Sequence, residues 1–200
     1  MTRMVLTISA WVRDFTSTQR KSPGPGTIGW RAIPCATMRE LPDIVAGALP
    51  ADMTRQGIMG HSMGGHGALI LALRHPGHFV SVSAFAPIAS PMNCPWGEKA
   101  LGGYLGPDRA SWRGHDACAL IEDGGRLPAL LVDQGTADGF LESQLKPQLL
   151  DAACAKAAIP LTMRRQEGYD HSYFFIATFV EDHLRWHARA LCASSSRHRV

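Results

Sequence analysis

The chain has 200 residues, 46% of them hydrophobic and 18% charged, with a formal net charge of +3 at pH 7. That is enough apolar content for one globular domain with a core, and a charged share below the usual quarter or so argues against disorder over most of the length. Basic residues are scattered apart from the terminal Arg197, His198 and Arg199, so nothing points to nucleic acid or to a membrane surface as a partner.

Residues 1–37 carry no hydrophobic period, and Ser17 to Gly26 is dominated by Ser, Pro and Gly. Composition reads this stretch as an aberrant or disordered leader. From about Arg39 helices and strands alternate, the pattern of an α/β domain over residues 38–192, with a tail at 193–200. Leu41–Leu49 reads as a helix. Arg55–Met59 leads, as a strand, into a turn and the small-residue helix Gly64–Leu73. Val80–Ala86 is small and β-branched, a buried strand. Pro87 to Gly114 is rich in Gly and Pro but holds Trp96, Tyr104 and Trp112, so an ordered excursion is expected. Pro128–Asp133 is a continuous apolar run, as parallel strands usually are. Leu141–Ala158 has helical spacing with a kink expected at Pro147. Leu161–Arg165 alternates like a strand nearer the sheet edge, and Phe174–Leu191 reads as a closing amphipathic helix.

Five cysteines (Cys35, Cys94, Cys118, Cys154 and Cys192) are odd in number, widely spaced and without a C-x-x-C pair. That suits reduced thiols in a cytoplasmic protein better than a disulfide framework. No apolar stretch approaches membrane-span length. Met4–Ile8 is too short for a signal-peptide core and soon meets Arg13 and Asp14, so a cytoplasmic location is expected.

Gly60-His61-Ser62-Met63-Gly64 is a G-x-S-x-G pentapeptide between strand and helix, the context a nucleophile elbow requires. The turn needs neighbours without bulk, and the helix N-terminus beyond it offers unsatisfied N–H groups to a developing oxyanion. Serine needs a base, and the base needs a carboxylate to fix its tautomer. In this fold they follow in the order Ser, Asp or Glu, His at strand ends. The loop after Leu130–Asp133 offers Asp138, and the loop after Leu161–Arg165 offers His171. Ser62 is therefore assigned as nucleophile, Asp138 as orienting acid and His171 as general base. Fold logic gives half of the oxyanion hole to the backbone N–H of Met63, whose side chain could equally be plain packing. Asp133 is a rival acid placed within a strand, and Asp170 is better read as a turn former. His61 and His66 flank the elbow without the geometry to reach back to Oγ. His183 and His187 have a spacing compatible with metal, but lack the Glu of H-E-x-x-H and a third ligand. No metal is expected.

At this point the chain resembles the S-formylglutathione hydrolases, also called esterase D, from about Met38 to Leu191. The resemblance rests on the elbow extended through Gly65-His66-Gly67-Ala68, on Phe85-Ala86-Pro87-Ile88, and on Pro95 to Gly106. It continues in Asp133 to Asp138 and in Tyr169 to Phe175. It implies an α/β-hydrolase fold with a mostly parallel sheet and flanking helices, and a triad on Ser62, Asp138 and His171. It also implies cleavage of S-formylglutathione to glutathione and formate in formaldehyde detoxification, activity on simple esters, no cofactor, and a homodimer in many members. Trp96 would line the acyl pocket. The family's first strands, and the loop giving a second oxyanion donor, find no counterpart in residues 1–37. A shifted reading frame across residues 4 to 32 would give a peptide like the family segment preceding Arg39. The expectation is thus an N-terminally truncated or frame-shifted member lacking its N-terminal strands. A general carboxylesterase and an inactive remnant of the family are the alternatives.

Overall fold

The computed structural model describes the backbone of residues 32–193 and the side chains of residues 40–193. Of the leader read over residues 1–37, residues 1–31 lie outside the described residues, as does the tail beyond 193, and residues 32–37 belong to a helix. Helix α1 (Ala32–Ala48) begins earlier than the expected Leu41 and runs through Pro42, which withholds one backbone donor from it. Strand β1 (Gln56–His61) then enters the fold, followed by α2 (Met63–Arg74), β2 (Phe79–Phe85), β3 (Leu130–Gly135) and β4 (Leu161–Gln166). The four strands pair in parallel in the order β1-β2-β3-β4.

Parallel sheets are covered on both faces, so their strands need apolar or small side chains on both sides. Alternate residues of each strand accordingly feed two cores. Ile58, Val82, Ala84, Leu130 and Val132 face α2, α5 (Ala117–Glu122) and α6 (Pro147–Lys156) in one cluster. The other face takes α7 (Tyr173–Ala193), where Phe85 packs against Phe175. Strand β4, last in the sheet order, is half-buried apart from Thr162 and Arg165, which are exposed.

The excursion after β2 is ordered, as expected: a 3-10 turn (Pro91–Asn93), α3 (Pro95–Leu105) and the short α4 (Arg109–Trp112). Trp112 is buried and its Nε1–H donates to the Gly106 carbonyl at 2.9 Å. One expectation is corrected. Leu141–Ala158 is not one kinked helix: Leu141–Leu145 forms a wide helical turn, Lys146 takes a left-handed conformation (φ 47°), and α6 starts at Pro147. A proline cannot continue the turn before it, but at the first position of a new helix its missing N–H has no intrahelical partner to lose.

Among the described residues no helix is long and apolar enough to cross a membrane. Because all four strands run the same way, their carboxyl ends lie along one edge of the sheet. Ser62, Asp138 and His171 stand in the loops that leave β1, β3 and β4 there.

Candidate active site

Only Ser62 separates the end of β1 from the start of α2, so the chain must reverse across one residue. Ser62 does so at φ 56°, ψ −117°, a conformation L-residues rarely adopt and one that costs on the order of 1–3 kcal/mol. Backbone hydrogen bonds hold it there. The Ser62 N–H donates to the Phe85 carbonyl at 2.8 Å, and the Ser62 carbonyl accepts from the His66 N–H at 2.9 Å. Gly60 is required by close approach, since a Cβ there would strike the Gly64 carbonyl; Gly65 likewise sits against Pro87. Met63 is the first residue of α2, so its N–H is among the terminal amides without an intrahelical acceptor. Its side chain packs on the apolar cluster of Phe85, Ile88 and Leu145, and Trp96 packs on the same cluster. Trp96 is half-buried, and its backbone N–H donates to Gln144 Oε1 at 3.0 Å.

Asp138 and His171 meet at the ends of β3 and β4. His171 Nδ1 lies 2.6 Å from Asp138 Oδ2. Donation from Nδ1 to the carboxylate leaves Nε2 as the acceptor nitrogen of a neutral ring. The carboxylate also accepts the Phe140 N–H at 2.8 Å and Gln134 Nε2–H at 3.2 Å. Burial pushes the Asp138 carboxyl up, but the hydrogen bonds from His171, Phe140 and Gln134 together hold it below the ordinary aspartate value. The two loops are laced to each other as well. Ala137 N–H donates to the Tyr169 carbonyl at 3.0 Å, Thr136 N–H to the Gln166 carbonyl at 3.0 Å, and Gly168 N–H to Thr136 Oγ1 at 2.9 Å. Gly135 makes this approach feasible, because a Cβ there would run into the Tyr169 carbonyl.

The His171 ring has two further neighbours. Phe140 meets it edge-on with centroids 5.2 Å apart, and His61, the residue before Ser62, packs on it at 4.4 Å. The structure thus brings His171 and Asp138 into contact and sets both beside the elbow through His61.

The rival residues are engaged elsewhere. Asp133 lies inside β3 and forms a two-pronged ion pair with Arg164, at 2.5 and 2.6 Å. Asp170 accepts the Ser172 N–H at 3.0 Å, the turn-forming role expected of it. His66 has its ring nitrogens against the Ile88 and His115 carbonyls. His187 Nδ1 and Nε2 are bonded to the hydroxyls of Ser81 and Ser83, and His183 stacks on Phe85 at 3.8 Å. No cluster of three or more metal-ligating side chains occurs among the described residues. Sequence reasoning missed Gln134 and the Phe140 amide as supports of Asp138. It also missed the His61 ring, whose position beside the serine was the one available signal.

A parallel sheet with a G-x-S-x-G turn after β1 and paired Asp138 and His171 loops after β3 and β4 defines an α/β-hydrolase fold. The chain belongs to the Esterase family, whose model matches residues 10–186. It is 54% identical over 156 residues to S-formylglutathione hydrolase of Rattus norvegicus, a match covering 77% of this chain and 55% of the relative. To S-formylglutathione hydrolase of Paracoccus denitrificans it is 51% identical over 152 residues, covering 76% of this chain and 54% of the relative. A solved S-formylglutathione hydrolase from Agrobacterium tumefaciens superposes with a TM-score of 0.73 at 55% identity, over 76% of this chain and 55% of that one. The chain spans about half the length of the curated relatives it matches.

Proposed function

We propose that this chain carries the catalytic site of a serine hydrolase of the S-formylglutathione hydrolase type. It would cleave S-formylglutathione to glutathione and formate and so clear the glutathione adduct of formaldehyde. The observation that carries this reading is the 2.6 Å contact of His171 Nδ1 with a buried carboxylate, beside a serine on a strained strand-to-helix turn. The 51–54% identity to S-formylglutathione hydrolases supports the substrate class.

In this mechanism Ser62 Oγ attacks the formyl carbon while its proton passes to His171 Nε2. Asp138 holds Nδ1–H and stabilises the imidazolium that forms. The Met63 N–H donates to the oxyanion, with the positive end of α2 behind it. The carbon–sulfur bond then breaks, and the glutathione thiolate leaves with the proton from His171. Water, deprotonated by the same nitrogen, attacks the formyl ester on Ser62; the ester C–O bond breaks, His171 returns the proton to Ser62 Oγ, and formate is released. Trp96, on the same cluster as Met63, would wall the acyl side. The residues that act are those of the chain itself, and the second reactant is water. Buried thiols at Cys94, Cys118 and Cys154 accord with a cytoplasmic setting.

The test is a comparison of kcat/KM on S-formylglutathione and on p-nitrophenyl acetate, with Ser62→Ala as control. A preference of about a hundred-fold or more for the thioester, lost in Ser62→Ala, is expected. Equal or better turnover of the simple ester would replace the reading with a general carboxylesterase. Rates no higher than those of Ser62→Ala would overturn both.

A further inference from the structure

The geometry points to His61 as a positioning residue. Its ring braces His171 so that the base stays in the orientation proton transfer needs, one side of a three-sided clamp with Asp138 and Phe140. This rests on the reading of His171 as general base.

The brace and the braced ring stand on different supports. His61 is the last residue of β1, paired in the sheet with Phe85 and joined directly to the fixed turn at Ser62. His171 stands in the loop between β4 and α7, and loops are the adjustable parts of such sites. The hydrogen bond from Nδ1 to Asp138 fixes one atom of the base but leaves its ring able to swing about that bond. Phe140 meets the ring at 74° and His61 at 41°, with centroids 5.2 and 4.4 Å away. These two rings close off the swing from two directions. A strand-anchored ring thereby confers its rigidity on a loop-borne one.

The His61 ring is held in this place at a cost. His61 Nε2 is buried and has no hydrogen-bond partner among the described residues, a penalty that a hydrocarbon ring in the same space would not incur. The groups facing His61 are His171, Asp138 and, at 6.4 Å between centroids, Tyr173. Burial first, then the nearby His171, push the His61 imidazole down to about 4, against an opposing pull from Asp138. His61 is therefore neutral wherever the base works, and His171 alone of the two takes the serine proton. The neutral ring offers π density to the imidazolium as it forms, whereas a charged His61 would repel it.

The experiment uses the full chain. His61→Ala is expected to lower kcat about ten-fold or more while KM stays within about two-fold, because alignment of the base is lost and substrate binding is not. His61→Phe, which restores a ring, is expected to recover most of kcat. Ring NMR of the unmutated chain supplies a readout that needs no variant. The His61 signals should show no protonation above about pH 5. Three results would overturn the proposal: a folded His61→Ala with kcat within about two-fold of the unmutated chain, a folded His61→Phe as impaired as His61→Ala, or a His61 that titrates as an ordinary exposed histidine. Ser62→Ala assayed alongside separates this from the parent reading. Turnover surviving in Ser62→Ala removes the serine mechanism, whereas a dead Ser62→Ala beside an unimpaired His61→Ala overturns only the brace.

Discussion

Ser62 and Asp138 show two ways in which single residues are held against their intrinsic preferences. Ser62 keeps a positive φ because the Phe85 carbonyl, the His66 amide and the bare Cα of Gly60 leave the backbone no other course. Replacing Gly60 with Ala should therefore prevent the elbow from closing. A loss of about 1–3 kcal/mol in denaturant melts, with phosphonate labelling of Ser62 abolished, is expected. Asp138 keeps its charge in a buried place because three donors converge on it. Asp138→Asn offers a competing donor to Nδ1 and favours the wrong tautomer of His171, so kcat should fall by about 10⁴ with KM little changed. Since the folded Asp138 pKa lies below its free value of 3.8, its ionic contribution to stability is present above that value. That contribution is lost only as the pH falls through the folded pKa. The serine was legible in the sequence because an elbow is a local device written in five consecutive residues. The pairing of Asp138 with His171 was readable as a candidate because the fold brings the loops after β3 and β4 to one sheet edge, where the two side chains meet. The Gln134 and Phe140 contributions were not, since a side chain and an amide become partners of a carboxylate only once the loop after β3 has its shape.

At the scale of elements, α7 is docked on the sheet through polar as well as apolar contacts. His187 lies fully buried between the Ser81 and Ser83 hydroxyls of β2, at 2.6 and 2.8 Å. His183 stacks on Phe85 beside Asp133, and Arg164 ties Asp133 of β3 to Asp182 of α7. Burial, with His183 nearby, pushes the His187 imidazole down to about 4 from 6.5. A histidine with a depressed folded pKa stabilises the fold fully above the free value of 6.5, and that contribution fades as the pH falls from 6.5 towards 4. The chain should accordingly lose on the order of 3 kcal/mol across this window from His187 alone. His187→Gln should flatten that slope in thermal melts at pH 7.5 and 4.5; an unchanged slope would contradict it. Gly135 plays a second linking role, and Gly135→Ala should separate the loops of Asp138 and His171. A fall of about ten-fold or more in kcat, with melting temperature less affected than in Gly60→Ala, is expected. The four strands and helices α1, α2 and α7 were readable from apolar runs and helical spacing, whereas α3, α4 and α5 were not. The break at Pro147 was not, because a proline after a helical turn and a proline opening a new helix look the same until the left-handed Lys146 is seen. The spacing of the two α7 histidines gave no hint of their serine and carboxylate neighbours, which lie on strands distant in sequence.

For the molecule as a whole, the described part brings the Ser62 turn, the Asp138 loop and the His171 loop to one edge of a four-stranded parallel sheet, in a chain that spans about half the length of the relatives it matches. Met63 and Trp96 share one apolar cluster at that edge, so the candidate acyl side and the candidate oxyanion donor are built on a common support. The central claim is that this assembly activates Ser62. Its most direct test is treatment of the folded, purified chain with a fluorophosphonate, followed by mass spectrometry of the adduct. A single adduct on Ser62, absent in Ser62→Ala and strongly slowed in Asp138→Asn, is the predicted result. Folded chain that gives no adduct, or one on a different residue, would contradict it.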